Sequence, residues 1–300
     1  MKQLSLVLIL VLASAAAWAL PSRADSGLRL VAESAEPCAK PCDRAAVVFI
    51  HGYTGARETW TNGQAYWPAL LASDSDLKDR LDIYSVVYDS LLFSGPPIRE
   101  VVADLEKELD ALMVQKRYAK VIFICHSLGG IVARQYLLHV NSRYGHAALG
   151  RFRLVITLGT PMQGSSLSRL ARWASSNEQL RVLGPIRTND YLQLVIDTVR
   201  DFAAKHEAQG CPSLKVFAAY EELGVSGVGV LVDKESATLD ASEVKGFDRD
   251  HISLPNPAGT SDEVYAWAKR SMVDCLDGLG ACPAADEPTD CLQLGDFTPP

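Results

Sequence analysis

The chain lacks what a nucleic-acid partner would need. Its 300 residues carry a formal net charge of −7, with no run of lysine and arginine and no interleaving of basic with aromatic residues. Phosphate backbones are held by clustered cations, so nucleic acid is excluded as a principal partner; the mild acidity serves solubility. Long apolar runs are missing beyond the N-terminal stretch, so no later segment is expected to span a bilayer. Internal repeats are missing too. A metal site is not spelled out: Cys38-x-x-x-Cys42 has two possible ligands, but no nearby histidine completes a tetrahedral set. What is abundant is apolar side chain. Hydrophobic residues make up 48% of the chain, enough for one sizeable core in one large α/β domain.

The ends are read as appendages. Met1-Lys2, the apolar run Leu4–Leu12 and the small-residue site Ala17-Trp18-Ala19 have the order of a secretory signal, with residues 1–19 removed. A second cleavage site, Ser22-Arg23-Ala24, is possible. No cysteine stands where a lipoprotein signal needs one. The expectation is export, to a periplasm or the outside. Residues 20–44 read as a linker and 277–300 as a polar tail. Export permits disulfides. Cys125 falls at the end of a buried strand and reads as a packed free thiol. That leaves Cys38, Cys42, Cys211, Cys275, Cys282 and Cys291. Local closure is preferred, Cys38–Cys42 with Cys275–Cys282 or Cys282–Cys291, and Cys211 reaching the tail.

The chemistry centres on Lys120–Arg134. Val121–Ile124 is a β-branched run that reads as a buried strand, and Leu128–Val140 has the apolar stripes of a helix. Between them stands Cys125-His126-Ser127-Leu128-Gly129. A strand turning straight into a helix with serine at the apex is the geometry of a nucleophile elbow. It presents the hydroxyl and leaves the Leu128 N–H free to donate at the positive end of the helix. Other strands are expected at Ala45–Ile50, Asp82–Tyr88, Arg153–Leu158, Leu214–Tyr220 and Val228–Val232. Helices are expected over Pro97–Arg117 and Ser261–Leu276, with amphipathic helical stretches within 166–208. This alternation predicts an α/β fold, a mostly parallel doubly wound sheet with helices on both faces. Ligands then bind at the carboxyl ends of the strands. Ser127, the His51-Gly52-Tyr53 turn, the Gly159-Thr160-Pro161 turn, Glu221 and the His251 loop all follow strands and should share that edge.

These segments, F-I-H-G-Y-T-G-A-R-E-T-W (49–60), F-I-C-H-S-L-G-G-I-V-A-R (123–134), L-G-T-P-M-Q-G-S-S (158–166) and V-D-K-E-S-A (232–237) followed by D-H-I (250–252), resemble the α/β-hydrolase superfamily, in its lipase and serine-active-site esterase branch. The departures are Cys125 for the first elbow glycine and Met162 where histidine is common. The resemblance implies a catalytic domain over 45–276, with 165–210 as a possible cap or lid. It implies Ser127 as nucleophile and His251, late in the chain, as general base. Glu221 is the first choice for the acid that orients His251, with Glu222 and Asp233 as alternatives. Asp250 lies too close in sequence to orient His251 and more naturally fixes its loop. The N–H groups of Tyr53 and Leu128 would form the oxyanion hole. The implied activity is hydrolysis of carboxylic esters through an acyl-Ser127 intermediate, with a small-molecule or lipid ester as substrate and transient contact with a lipid surface. This chemistry requires no metal or organic cofactor. Thioesterase, amidase or acyltransferase activity would use the same residues, and a non-catalytic binding protein of the same fold is the alternative from another class.

Overall fold

A computed structural model describes residues 27–32, 44–52, 55, 57–87, 98–116, 118, 120–174, 189–208 and 213–277. In chain order the strands are β1 (Gly27–Ala32), β2 (Ala45–Ile50), β3 (Thr61–Asn62), β4 (Ala65–Tyr66), β5 (Leu81–Val87), β6 (Lys120–His126), β7 (Phe152–Leu158), β8 (Lys215–Glu221) and β9 (Glu243–Phe247). The helices are α1 (Trp67–Ser73), α2 (Ile98–Lys116), α3 (Gly129–Tyr144), α4 (Gly164–Ala174), α5 (Asn189–Ala208), α6 (Lys234–Ala237) and α7 (Glu263–Asp277). Seven strands form one sheet in the order β1-β5-β2-β6-β7-β8-β9. From β5 to β9 the pairing is parallel, and only β1 runs antiparallel, along β5. The order reverses direction around β2, so the ends of β2 and β6 flank the crevice where such sheets bind ligands.

Each face of the sheet takes alternate residues, which is why the central strands are apolar throughout. One face carries Val48, Ile50, Phe123 and Cys125 beneath α2, α3 and α5. The other carries Val47, Phe49, Ile122 and Ile124 beneath Trp60, Trp67 and α7. Phe49 meets both tryptophans edge to face, at centroid distances of 4.9 and 5.9 Å. The helix α5 belongs to the first layer. Its Val199 and Phe202 are buried with the side chains of α3, so this part of 165–210 packs as a layer helix. Residues 175–188, between α4 and α5, lie outside the described residues.

Three strand expectations are corrected. The stretch 20–44, expected to be a linker, contains β1, whose Leu28 and Leu30 are register partners of Val86 and Tyr84. Val228–Val232 is not a strand. Gly227 and Gly229 have φ of 75° and 90°, and such left-handed positions turn the chain rather than extend it. The last strand is β9, Glu-Val-Lys-Gly-Phe, an edge strand with only Phe247 buried. Its exposed polar residues are those of a sheet edge. Of the cysteines, Cys125 is a buried free thiol, as expected, and Cys275 is free as well, so Cys275–Cys282 is not formed. Cys38, Cys42, Cys211, Cys282 and Cys291 lie outside the described residues.

The elbow helix is fastened from behind by a charge pair. Arg134 of α3 donates from Nε and Nη2 to the two carboxylate oxygens of Asp240, both at 2.6 Å, and from Nη1 to the Gly130 carbonyl at 3.0 Å. Both side chains are fully buried. Removing one partner of such a pair strands the other charge away from water. Arg134→Met is therefore expected to cost about 3–5 kcal/mol in urea unfolding. A loss below about 1 kcal/mol, the worth of an exposed pair, would refute the role given to burial.

Candidate active site

Ser127 sits where β6 becomes α3, with φ of 52°, the one non-glycine residue at positive φ among those described. A side chain held there is strained, and the sheet supplies what holds it. The Ser127 N–H donates to the Leu158 carbonyl of β7 at 2.9 Å, and the Gly130 N–H closes the turn on the Ser127 carbonyl at 3.1 Å. Close approach is enforced by glycine. A Cβ on Gly129 would lie 2.2 Å from the Ile50 carbonyl oxygen, and one on Gly52 would lie 2.6 Å from the Ser127 Cβ. The turn after β2 therefore presses directly against the serine. Cys125 fills the first elbow position as a fully buried packing residue, and burial pushes its thiol up to about 12. It stays protonated and inert.

From Ser127 a continuous set of hydrogen bonds runs inward. Ser127 Oγ is 3.0 Å from His251 Nε2, and His251 Nδ1 is 2.6 Å from Glu221 Oε2. A carboxylate only accepts, so Nδ1 carries the proton and Nε2 is left to accept from the hydroxyl. Glu221 ends β8, while His251 comes from the loop after β9, four residues beyond Phe247. All three side chains are buried. The other Glu221 oxygen accepts from the Leu231 and Val232 N–H groups, at 2.6 and 2.9 Å. This explains the misread segment: the Leu231-Val232 amides are spent on a carboxylate, not on a strand ladder.

The alternative acids are engaged elsewhere. Glu222 is exposed and accepts from the Tyr220 hydroxyl. Asp233 caps α6, accepting from the Ser236 N–H at 2.9 Å, and pairs with Arg169. Asp250 fixes its own loop through the Ser253 N–H and hydroxyl, at 2.8 and 2.5 Å. Leu128 is in place at the helix start, and its N–H has no partner among the described residues. Tyr53, the other expected oxyanion donor, lies outside the described residues.

The structure adds residues that the motifs did not assign. His126 Nε2 donates to the backbone carbonyl of His251 at 3.0 Å, and the two rings lie 4.9 Å apart. The residue beside Ser127 thus holds the main chain of His251. No spacing rule predicts a bond across 125 positions. Desolvation, then the charge of His251, hold His126 well below the ordinary histidine range, so it remains neutral beside a protonating partner. His51 donates from Nδ1 to the Gly52 carbonyl at 2.9 Å. Its complete burial lowers it from 6.5 to about 4, against a smaller upward pull from that hydrogen bond.

This has a consequence for pH. The unfolded chain takes up the His51 proton near 6.5 and the folded one only near 4. Stability from this residue is therefore complete above 6.5, falls as pH drops through the window, and is exhausted near 4. The loss is roughly 3 kcal/mol. Urea unfolding across that window, with the His51 ring followed by NMR, checks it. An imidazole that titrates near its unperturbed value in the folded protein would refute the assignment.

An open parallel sheet with helices on both faces, a serine on a strained strand-to-helix turn and a histidine-carboxylate pair facing it define the α/β-hydrolase class. The chain belongs to the alpha/beta hydrolase family, whose model matches residues 47–291. Among solved structures it is similar to the propeptide form of a lipase from Bacillus licheniformis, with 19% identity, a TM-score of 0.51 and coverage of 84% of this chain and 54% of that one. The mature form of that lipase matches at 20% identity and a TM-score of 0.47, covering 73% and 90%. An esterase from Pyrococcus furiosus matches at 13% identity and 0.48, covering 80% and 83%. At these identities the likeness is one of fold. No curated protein sequence matches.

Proposed function

We propose that this protein is an exported serine hydrolase that cleaves carboxylic esters. The observation that carries the reading is the unbroken contact from Ser127 Oγ through both ring nitrogens of His251 to Glu221. The Ser127 hydroxyl is a weak nucleophile until its proton is taken. His251 Nε2 accepts that proton as Oγ bonds to the ester carbon, and Glu221 stabilises the resulting imidazolium. The Leu128 N–H, and that of Tyr53, donate to the oxyanion. His251 then returns the proton to the departing alcohol, leaving acyl-Ser127. A water molecule, deprotonated by the same nitrogen, releases the acid.

An apolar acyl group is the substrate this reading favours. Leu223, Val228 and Val230, on the loop after Glu221, and Ile252, beside His251, are exposed. Exposed apolar residues gathered on such loops favour a lipid-like ester and brief contact with a lipid surface. Export follows from the N-terminal pattern of charged start, apolar run and small-residue site. A fluorophosphonate probe, with the labelled peptide identified by mass, tests the reading. The expected result is a single adduct on Ser127, together with turnover of p-nitrophenyl acyl esters. Folded protein that takes up no probe and turns over no ester would end it.

A further inference from the structure

Glu221 owes its orientation to the Leu231 and Val232 amides, and those amides must themselves be held. The holding group comes from α4, the helix that opens the 165–210 segment. Arg169 donates from Nε to the Leu231 carbonyl at 3.2 Å. From Nη2 it donates to the Ser166 hydroxyl at 2.9 Å and to the Asp233 carboxylate. Ser166, also on α4 and fully buried, donates to the same Asp233 oxygen at 3.2 Å. The remaining Asp233 oxygen caps α6 through the Ser236 N–H. The Ser236 hydroxyl and carbonyl in turn accept from the Gln163 and Met162 N–H groups just ahead of α4. Residues 231–236 are thus stitched to the start of α4 along their length.

We infer that Arg169 is a positioning residue for Glu221, acting with Asp233 to fix the Leu231-Val232 amide pair that aims the carboxylate at His251. This rests on reading Glu221 as the acid. The path is short: Arg169 Nε to the Leu231 carbonyl, the Leu231 N–H to Glu221 Oε1, Glu221 Oε2 to His251 Nδ1, and His251 Nε2 to Ser127 Oγ. A planar guanidinium suits the task because it holds a carbonyl and a carboxylate at once in fixed directions. The bland alternative is an ordinary ion pair that contributes to stability. Exposure argues against it: the Arg169 and Asp233 side chains are 36% and 31% exposed, and ion pairs open to water contribute little stability. One end of this pair, Asp233, belongs to the segment that carries the amides, and the other, Arg169, reaches it from α4. The inference also gives Asp233, a rejected acid, its own part in the site.

The test compares Arg169→Met, Arg169→Lys and Asp233→Asn in the full chain, with folding followed by circular dichroism. Asparagine retains the helix cap while removing the charge. One readout is kinetic. With p-nitrophenyl esters, Arg169→Met and Asp233→Asn should each lose about tenfold in kcat with little change in KM. Arg169→Lys, which keeps the charge pair but not the second donor, should fall between them and the unaltered protein. The double variant should be no worse than the worse single one, because the two residues act as a unit. The other readout needs no turnover: the deshielded Nδ1–H resonance of His251 in the proton NMR spectrum. The groups facing His251 are Glu221 from β8, His126 from the elbow and Asp250 from its own loop. Only the contact with Glu221 should loosen. The resonance should move upfield in Arg169→Met and Asp233→Asn. If both folded variants keep the resonance, the positioning role is overturned, whatever the kinetics. If the resonance moves while the unaltered protein hydrolyses no ester, the positioning role stands and the proposed function fails.

Discussion

Ser127→Ala is expected to lower kcat for p-nitrophenyl acyl esters by about ten-thousand- to a million-fold, with KM little changed. On the proposed mechanism the substitution removes the atom that forms the acyl intermediate and leaves the surrounding donors in place, so slow turnover by water remains possible at the same site. The fold should survive. The backbone bonds that shape the turn, from the Ser127 N–H to Leu158 and from Gly130 to the Ser127 carbonyl, do not involve the side chain. A companion variant separates a strained nucleophile from a simple helix-capping serine. At φ of 52° a glycine is at ease where serine is not, so Ser127→Gly should be equally inactive yet more stable than Ser127→Ala by about 1 kcal/mol. A serine that only caps the helix would lose stability in Ser127→Ala and carry no catalytic penalty in either variant. Retained turnover in folded Ser127→Ala protein would remove Ser127 as nucleophile.

The elbow was legible because its constraints are local. The apolar run of β6, the serine and the following glycine pair stand within a dozen residues, and the glycines are required by close packing that a Cβ would break. The parallel core was legible for a similar reason, since β2 and β7 are buried along their whole length and β6 along all but its two end residues. The edges were not. β1 and β9 are each held by backbone pairing on one side, and β9, with only Phe247 buried, leaves little pattern in its residues. Val228–Val232 misled in the opposite direction. Its valines are mostly exposed, and the glycines before and within it, Gly227 and Gly229, which turn the chain, are the signal against a strand. The His251 position was reached all the same. Order along the chain placed it after the last strand, although that strand is β9 and not the expected one. Arg134, His126 and Arg169 act across 62 to 125 positions, and such pairings leave no mark in a single sequence.

Glu221→Gln is expected to reduce kcat by about a thousand- to ten-thousand-fold while the protein remains folded. The reason is a conflict of donors. Glu221 accepts at both ends: two amide N–H groups at Oε1 and the imidazole Nδ1–H at Oε2. A glutamine has one acceptor and one donor in those places. If its oxygen faces Leu231 and Val232, its NH2 faces Nδ1. The ring must then carry its proton on Nε2, pointed at Ser127, and can no longer take the hydroxyl proton. If the amide flips, the NH2 meets two backbone donors in a buried site, at a cost of about 1–3 kcal/mol for each group left unsatisfied. The first orientation inverts the tautomer of the base, and both remove the carboxylate charge that stabilises the imidazolium. Glu222→Gln provides the contrast. Glu222 is exposed and next in sequence, so kcat should stay within about twofold, as for a surface change away from the chemistry. Asp233→Asn should sit between, near the tenfold loss of a positioning residue. The ranking discriminates sharply because the three carboxylates lie within thirteen positions of one another on the same stretch of chain. A collapse in Asp233→Asn with activity retained in Glu221→Gln would transfer the acid to the N-cap of α6, and the Glu221–His251 hydrogen bond would then be a structural contact only.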